Sequence, residues 1–319
     1  MNMKVKMLLD NFIYEVNGFD KTIDDIKKYN LNSLLHSGKV IILRNKKLSL
    51  EDYYQLMLSI GTPEQHILQN FSVSGYKDII RISNYITPTG ENEGILDGGA
   101  YWHTDMSYKP QIGIATALMS LREPDYGGYT QFIDMVDALS ILRKNSALLT
   151  KLENICGTSL EAIQVHHTFG NRRAMFDPSQ PTQRLTNAQQ ITLSPVVHNL
   201  VQVHPYTGQQ SLFAVSGTAI CFDGVSQEVS LPLLNELEDF IIENSQFYQH
   251  RYFSNDIIIW DNLLTLHRGY AIKPSHNIKN SRLLYRINVN YSNRGPCYEK
   301  NSHTPFSILP TICFRGCTT

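Results

Sequence analysis

Residues 281–291, Ser-Arg-Leu-Leu-Tyr-Arg-Ile-Asn-Val-Asn-Tyr, constrain the fold of this chain more than any other stretch, because they alternate. Arg282, Leu284, Arg286, Asn288 and Asn290 fall on one face, and Leu283, Tyr285, Ile287, Val289 and Tyr291 on the other. Successive side chains of a strand point to opposite sides, so a period of two describes a strand with two unlike faces. The apolar and aromatic face belongs against a core. The face with two arginines then looks at solvent or into a polar cavity.

Other segments read as strands on their apolar runs: 39–44, 79–83, 112–121, 129–135, 211–215, 218–222 and 257–261. Helical spacing predicts helices over 20–36, 136–155, 186–192 and 230–246, and one running from a Ser49 cap to Gly61. Gly90, Gly94, Gly98 and Gly99 mark 86–100 as a loop. There is no repeat, and no Pro/Gly/Ser linker divides the 319 residues. The expectation is one α+β domain, a β-sandwich or barrel buttressed by helices. Within it, 84–101 and the polar stretch 164–210, with Asp177-Pro-Ser-Gln-Pro181, are candidate lids.

Charge narrows the partners. Lys plus Arg is 28 and Asp plus Glu is 29, a net charge of −1. Nucleic-acid and membrane-surface binders need a basic excess, so neither is expected, and a small molecule is. Five cysteines, odd in number and without a C-x-x-C pair, argue against a disulfide scaffold or zinc ribbon and for a reducing, cytoplasmic setting. The apolar run near the N-terminus is broken at Asp10 and Asn11, unlike a signal-peptide core, and no stretch approaches the roughly 20 apolar residues of a membrane span.

Trp102-His103-Thr104-Asp105 follows the glycine-rich loop. On a strand, positions i and i+2 share a side, so His103 and Asp105 can hold one ion together. A third ligand from a distant histidine would complete a two-histidine, one-carboxylate face, the donor set of non-haem Fe(II) oxygenases. His-x-Asp alone is common by chance. The partners raise its weight: Asp256-Ile-Ile-Ile-Trp-Asp-Asn262 runs from a buried strand into a polar turn and His267-Arg268, and the two-arginine strand follows.

Together these residues resemble the taurine dioxygenase-like (TauD/TfdA) family of Fe(II)/2-oxoglutarate-dependent dioxygenases, over about residues 35–295. The matches are Trp102-His-Thr-Asp105, Gly127-Gly-Tyr-Thr130 with Gln131-Phe132, His204-Pro-Tyr-Thr-Gly208 with Leu212-Phe213, Trp260-Asp-Asn262, His267-Arg268, and Arg282 with Arg286. The intervals from Asp105 to Thr130 and to His267 also match. The interval from His267 to Arg282 is longer than usual, with Lys273–Lys279 as the insert.

The resemblance implies a double-stranded β-helix (jelly-roll) core, with His103, Asp105 and His267 on Fe(II). It implies 2-oxoglutarate and O2 as co-substrates, the distal carboxylate of 2-oxoglutarate being gripped by Arg282 and Thr130. A guanidinium fork suits a carboxylate and stays charged at any working pH. The implied reaction converts 2-oxoglutarate to succinate and CO2 while oxidising an unactivated C–H bond, most often by hydroxylation. Desaturation, epimerisation and cyclisation use the same oxidant and stay open. Because Asp105 is present, halogenation is disfavoured. In such relatives the position of Arg286 anchors an anionic head group, which implies a small acid: a sulfonate, carboxylate, amino acid or natural-product intermediate.

His66, Tyr101, Tyr108 and Asn84 are further candidates for the substrate side, while Trp102 reads as core. Two other classes stay open: a non-catalytic jelly-roll binding protein, and a zinc hydrolase on the same triad, which leaves Thr130 and Arg282 unexplained. Homo-oligomers occur in the family, and nothing in this chain decides its own state. The tail 296–319, with Cys313 and Cys317, has no assigned role.

Overall fold

The alternating strand forms as the sequence predicts and lies in the interior of the larger sheet, with a strand paired on each side. A computed structural model describes residues 4–17, 31–44, 47–96, 98–124, 126–176 and 194–291. The major sheet contains β1 (Lys4–Leu9), β2 (Ile13–Asn17), β3 (Val40–Leu43), β4 (Thr62–Glu64), β5 (Ser72–Val73), β6 (Tyr76–Ser83), β7 (Gly113–Arg122), β15 (Ile257–Asp261) and β17 (Leu283–Asn290). Its order is β1-β2-β3-β15-β7-β17-β6-β5, and β4 pairs with the far end of β17. All pairings are antiparallel except that of β2 with β3.

Three smaller sheets form the second layer. They are β14 (Phe247–His250), β8 (Thr130–Asp134) and β16 (Thr265–Gly269); β10 (Val196–Asn199), β9 (Gln164–His167) and β13 (Ala219–Phe222); and the pair β11 (Val201–Val203) and β12 (Gln210–Leu212). Between the layers Ile42, Leu118, Phe132, Ile258, Trp260 and Leu284 pack into one cluster. Ile41, Ile257, Ile259, Ile287 and Val289 point the other way, against α1 (Leu31–Gly38) and α2 (Leu50–Leu58). Both faces of β3 and β15 are therefore covered, which is why these strands read as unbroken apolar runs rather than alternating ones.

Ser49 caps α2 as predicted, its hydroxyl accepting from the Asp52 amide. The helix expected over 136–155 is two, α3 (Met135–Lys144) and α4 (Ser146–Cys156). Asn145 divides them: it closes α3, and its side chain accepts from the Leu148 amide to start α4. With α6 (Gln227–Asn244) they pack on the outer face of the second layer. The helix predicted over 20–36 is observed from Leu31, residues 18–30 lying outside the described residues along with the expected helix 186–192 and the tail 296–319.

The candidate lid 164–210 divides. Residues 177–193 lie outside the described residues, but the flanks are walls of the second layer: β9 pairs with both β10 and β13, and β11 with β12. Short α5 (Arg172–Met175) places Arg172, 1% exposed, against Glu238 of α6. The other candidate, 84–101, is laced to β6 by Ile95 N to Arg81 O (2.9 Å) and Ser83 N to Ile95 O (3.1 Å).

Candidate active site

The turn after β15 carries the chain from the major sheet into β16 of the second layer. There β16 presents His267 beside His103, whose backbone exchanges hydrogen bonds with it: His103 N to His267 O is 2.8 Å and His267 N to His103 O is 3.0 Å. Their rings lie 4.2 Å apart. Asp105 reaches the same point, as the i, i+2 spacing predicts. Its Oδ1 is 3.6 Å from His103 Nε2 and its Oδ2 is 3.5 Å from His267 Nε2. One donor atom from each of the three side chains falls within 4.8 Å of the others.

The protonation states suit a cation. His103 Nδ1 lies 2.8 Å from the Tyr101 carbonyl, so Nδ1 must carry the proton and the Nε2 lone pair faces Asp105. Burial, and then His103, pushes His267 well below the usual histidine range, leaving it neutral. Burial alone would raise Asp105, but Arg286, followed by His267 and His103, holds it well below the usual carboxylate range. Asp105 Oδ2 is buried and has no hydrogen-bond partner among the described residues. A neutral His267, a His103 whose Nδ1 is turned away to the Tyr101 carbonyl, and a carboxylate with an unused oxygen fit a divalent first-row metal.

A cavity opens between this triad and β17, lined by Thr130, Leu118, Trp260, Arg282, Leu284 and Arg286 among others. The arginine face of β17 thus looks into a cavity, not at solvent. Arg282 is 4% exposed, with Nη1 donating to Gly128 O at 3.1 Å. Gly128 has φ +70°, and a Cβ there would stand 3.1 Å from Arg282 Cδ, so the glycine is what lets backbone pass under the guanidinium. Thr130 Oγ1 lies 2.7 Å from the Tyr252 hydroxyl. Arg286 Nη2 is 2.6 Å from Asp105 Oδ1, and its Nε donates to Asn288.

The remaining candidates separate. Asn84 is 2% exposed and does not line the cavity: Oδ1 accepts from the Arg282 amide (2.7 Å) and Nδ2 donates to Lys273 O (2.7 Å). Its side chain is consumed in bracketing the start of β17 and the insert, so the structure moves it from the substrate side to the support of Arg282. His66 stands near Arg286 and Asp105, and burial followed by Arg286 brings its pKa down to about 3. Tyr101 and Tyr108 flank the same charges, with burial pushing each phenol up to about 12. Trp102 is buried core, with Arg268 stacked 4.8 Å over its ring.

Sequence reasoning missed Tyr252 and a second buried cluster, His36, His204 and Asp261. His36 Nδ1 and His204 Nε2 lie 2.7 and 3.0 Å from the same Asp261 oxygen. His204 Nδ1 accepts from the Tyr206 and Thr207 amides, so its Nε2 carries a proton aimed at the carboxylate. Asp261 Oδ1 accepts from Leu263 N and Leu264 N, and its carbonyl accepts from Thr265. This is a proton-filled clamp on the turn that delivers His267. The Trp260-Asp-Asn262 motif was its signal.

The fold is that of the 2-oxoglutarate-dependent dioxygenases, as comparisons with known proteins show. The sequence profile described as "Taurine catabolism dioxygenase TauD, TfdA family" matches residues 14–287. The alpha-ketoglutarate-dependent 2,4-dichlorophenoxyacetate dioxygenase of Cupriavidus pinatubonensis is 24% identical over 265 residues, 80% of this chain and 87% of that one. A Schizosaccharomyces pombe protein assigned as an alpha-ketoglutarate-dependent sulfonate dioxygenase is 30% identical over 287 residues, 88% of this chain and 67% of that one. Among solved structures, AAD-2 in complex with Mn(II) and N-oxalylglycine superposes with a TM-score of 0.69 at 21% identity, covering 92% of this chain and 98% of that one. The chain belongs to the TauD, TfdA family and is an alpha-ketoglutarate-dependent dioxygenase, with the jelly-roll fold expected of it.

Proposed function

We propose that the enzyme is Fe(II)-dependent and oxidises an unactivated C–H bond of a small anionic molecule, by hydroxylation in the first instance. In this reading His103 Nε2, Asp105 and His267 Nε2 hold the metal, and Arg282 with Thr130 holds the distal carboxylate of 2-oxoglutarate. Arg286 receives the substrate's anionic group, with His66, Tyr101 and Tyr108 beside it. When bound, the metal supplies O2 activation coupled to decarboxylation of the co-substrate. The protein positions both acids, and its buried walls keep water from the reacting centre.

The observation that carries this reading is the placement of Arg282 and Arg286 on one strand face beside the triad. Charge arithmetic then favours an acid. A divalent metal would take over Asp105, the carboxylate that Arg286 pairs with at 2.6 Å, and so release Arg286 for another anion. Arg286 is only partly exposed, and an anionic substrate would supply the counter-ion that the metal takes from it. The names of the relatives point the same way: a phenoxyacetate and sulfonates are both anions. The balanced net charge of the chain supports a small-molecule partner, and its five scattered cysteines a reducing, cytoplasmic setting; no described helix is long and apolar enough to cross a membrane.

The test is succinate release by the Fe(II)-loaded enzyme with 2-oxoglutarate, across a panel of sulfonates, aryloxy acids and amino acids alongside neutral isosteres. An acid should stimulate release well above the uncoupled background, with His103→Ala abolishing it and Arg286→Ala raising KM for that acid. Stimulation by the neutral isosteres alone would contradict the proposal.

A further inference from the structure

Tyr252 sits two residues beyond β14, where His250 pairs with Thr130 of β8. It is 3% exposed and packs between the two layers, its ring meeting His250 edge-on at 4.7 Å. Its hydroxyl is 2.7 Å from Thr130 Oγ1 and makes no other hydrogen bond among the described residues. Burial raises the phenol pKa, so the hydroxyl keeps its proton.

Two hydroxyls, each with one proton, share this contact. If Thr130 donated, the Tyr252 proton would be left in an apolar layer with no acceptor among the described residues, and a buried donor left unpaired is costly. If Tyr252 donates, its proton is satisfied and the Thr130 proton is free to turn into the cavity that Thr130 and Arg282 line. The second arrangement needs an acceptor in that cavity, and a carboxylate facing Arg282 is one.

We infer that Tyr252 is a positioning residue for the co-substrate: by donating to Thr130 it commits the threonine hydroxyl to donate to the distal carboxylate of 2-oxoglutarate. The inference rests on the reading of Arg282 and Thr130 as the grip on that carboxylate. Tyr252→Phe keeps the packed ring and removes only the hydroxyl, and Thr130→Val removes the intermediary.

The experiment is calorimetric titration of the Mn(II)-loaded protein with 2-oxoglutarate, and with 2-oxobutanoate, which lacks the distal carboxylate. Tyr252→Phe should raise Kd for 2-oxoglutarate about three- to tenfold, the range of one neutral hydrogen bond. Its Kd for 2-oxobutanoate should match wild type. The Tyr252→Phe/Thr130→Val pair should bind 2-oxoglutarate no more weakly than Thr130→Val alone, because both act through one contact. An unchanged Kd in Tyr252→Phe, with Arg282→Ala and Thr130→Val both weakened, would overturn the role of Tyr252 and leave the grip intact. Equal weakening for both oxo acids would reduce Tyr252 to packing and also overturn it. If neither Arg282→Ala nor Thr130→Val weakens binding, the reading of the grip falls and the inference with it.

Discussion

Arg286 Nη2 and Asp105 Oδ1 stand 2.6 Å apart, so the carboxylate that completes the triad is already neutralised by a side chain from β17. Asp105 is 3% and Arg286 15% exposed by side chain, a pair little screened by water. The guanidinium and a divalent cation therefore compete to compensate one charge.

Removing Arg286 should expose that competition. Arg286→Ala leaves the Asp105 carboxylate buried without its cation, a loss of about 3–5 kcal/mol for a pair of this kind. A metal ion replaces the missing charge. The variant should therefore melt well below wild type without metal, and gain more Tm than wild type when saturated with Mn(II). Differential scanning calorimetry with and without Mn(II) checks this, and an equal Mn(II) gain in both proteins would contradict it.

Gly99 should be indispensable to the metal site but not to the fold. Its φ is +75°, and a Cβ there would lie 2.3 Å from His103 Cε1. Gly99→Ala must displace the imidazole, and we expect at least tenfold weaker Co(II) binding in an absorption titration. The backbone cost is about 1–2 kcal/mol, so the variant should still fold.

The Asp261 clamp should couple stability to metal affinity. Burial alone would raise the Asp261 carboxyl, but hydrogen bonds from His204 and His36 leave it lowered. In Asp261→Asn the amide N–H2 must replace either the oxygen that both rings share or the one that accepts from Leu263 N and Leu264 N, so two donors lose their acceptor in either orientation. The expected loss is about 2–4 kcal/mol in urea unfolding. Mn(II) affinity should fall too, because the turn leading to His267 is released.

Acid should destabilise the fold through neutral buried histidines. Burial lowers His167 and His250 to about 3 from 6.5. Each is neutral in the fold and protonates near 6.5 when unfolded. Their contribution is complete above about pH 6.5 and is lost as pH falls from there toward 3, at about 1.4 kcal/mol per pH unit for each group. Both ring nitrogens of His250 are buried without hydrogen-bond partners among the described residues. His250→Leu should thus flatten the slope and melt above wild type at pH 5, as thermal scans at pH 5 and 8 would register.

What the sequence made legible was whatever repeats at short range. The period of two in β17 predicted an apolar back and an arginine row turned to solvent or a polar cavity, of which the fold selects the cavity, and His103 with Asp105 converges because i and i+2 share a side. The unbroken apolar runs of β3 and β15 were equally plain. The flanks of 164–210 were not, since β9, β10 and β11 are three or four residues long and owe their form to pairing partners rather than to pattern. β16 reads as a polar turn before a histidine, yet it is a strand whose first three residues are buried. Contacts such as His36 with Asp261, 225 positions apart, have no local signature at all. Asn84 looked like a substrate residue because it borders a loop, and only the fold discloses that its amide is spent on Arg282 and Lys273.

The central claim is that one cavity holds a divalent iron on His103, Asp105 and His267 with 2-oxoglutarate beside it. Anaerobic addition of Fe(II) and then 2-oxoglutarate, followed by visible absorption, tests it most directly. The account predicts a weak metal-to-ligand charge-transfer band in wild type, absent in His103→Ala and His267→Ala, and in Arg282→Ala appearing only at much higher 2-oxoglutarate. Iron-loaded wild-type protein that develops no band with 2-oxoglutarate would contradict it.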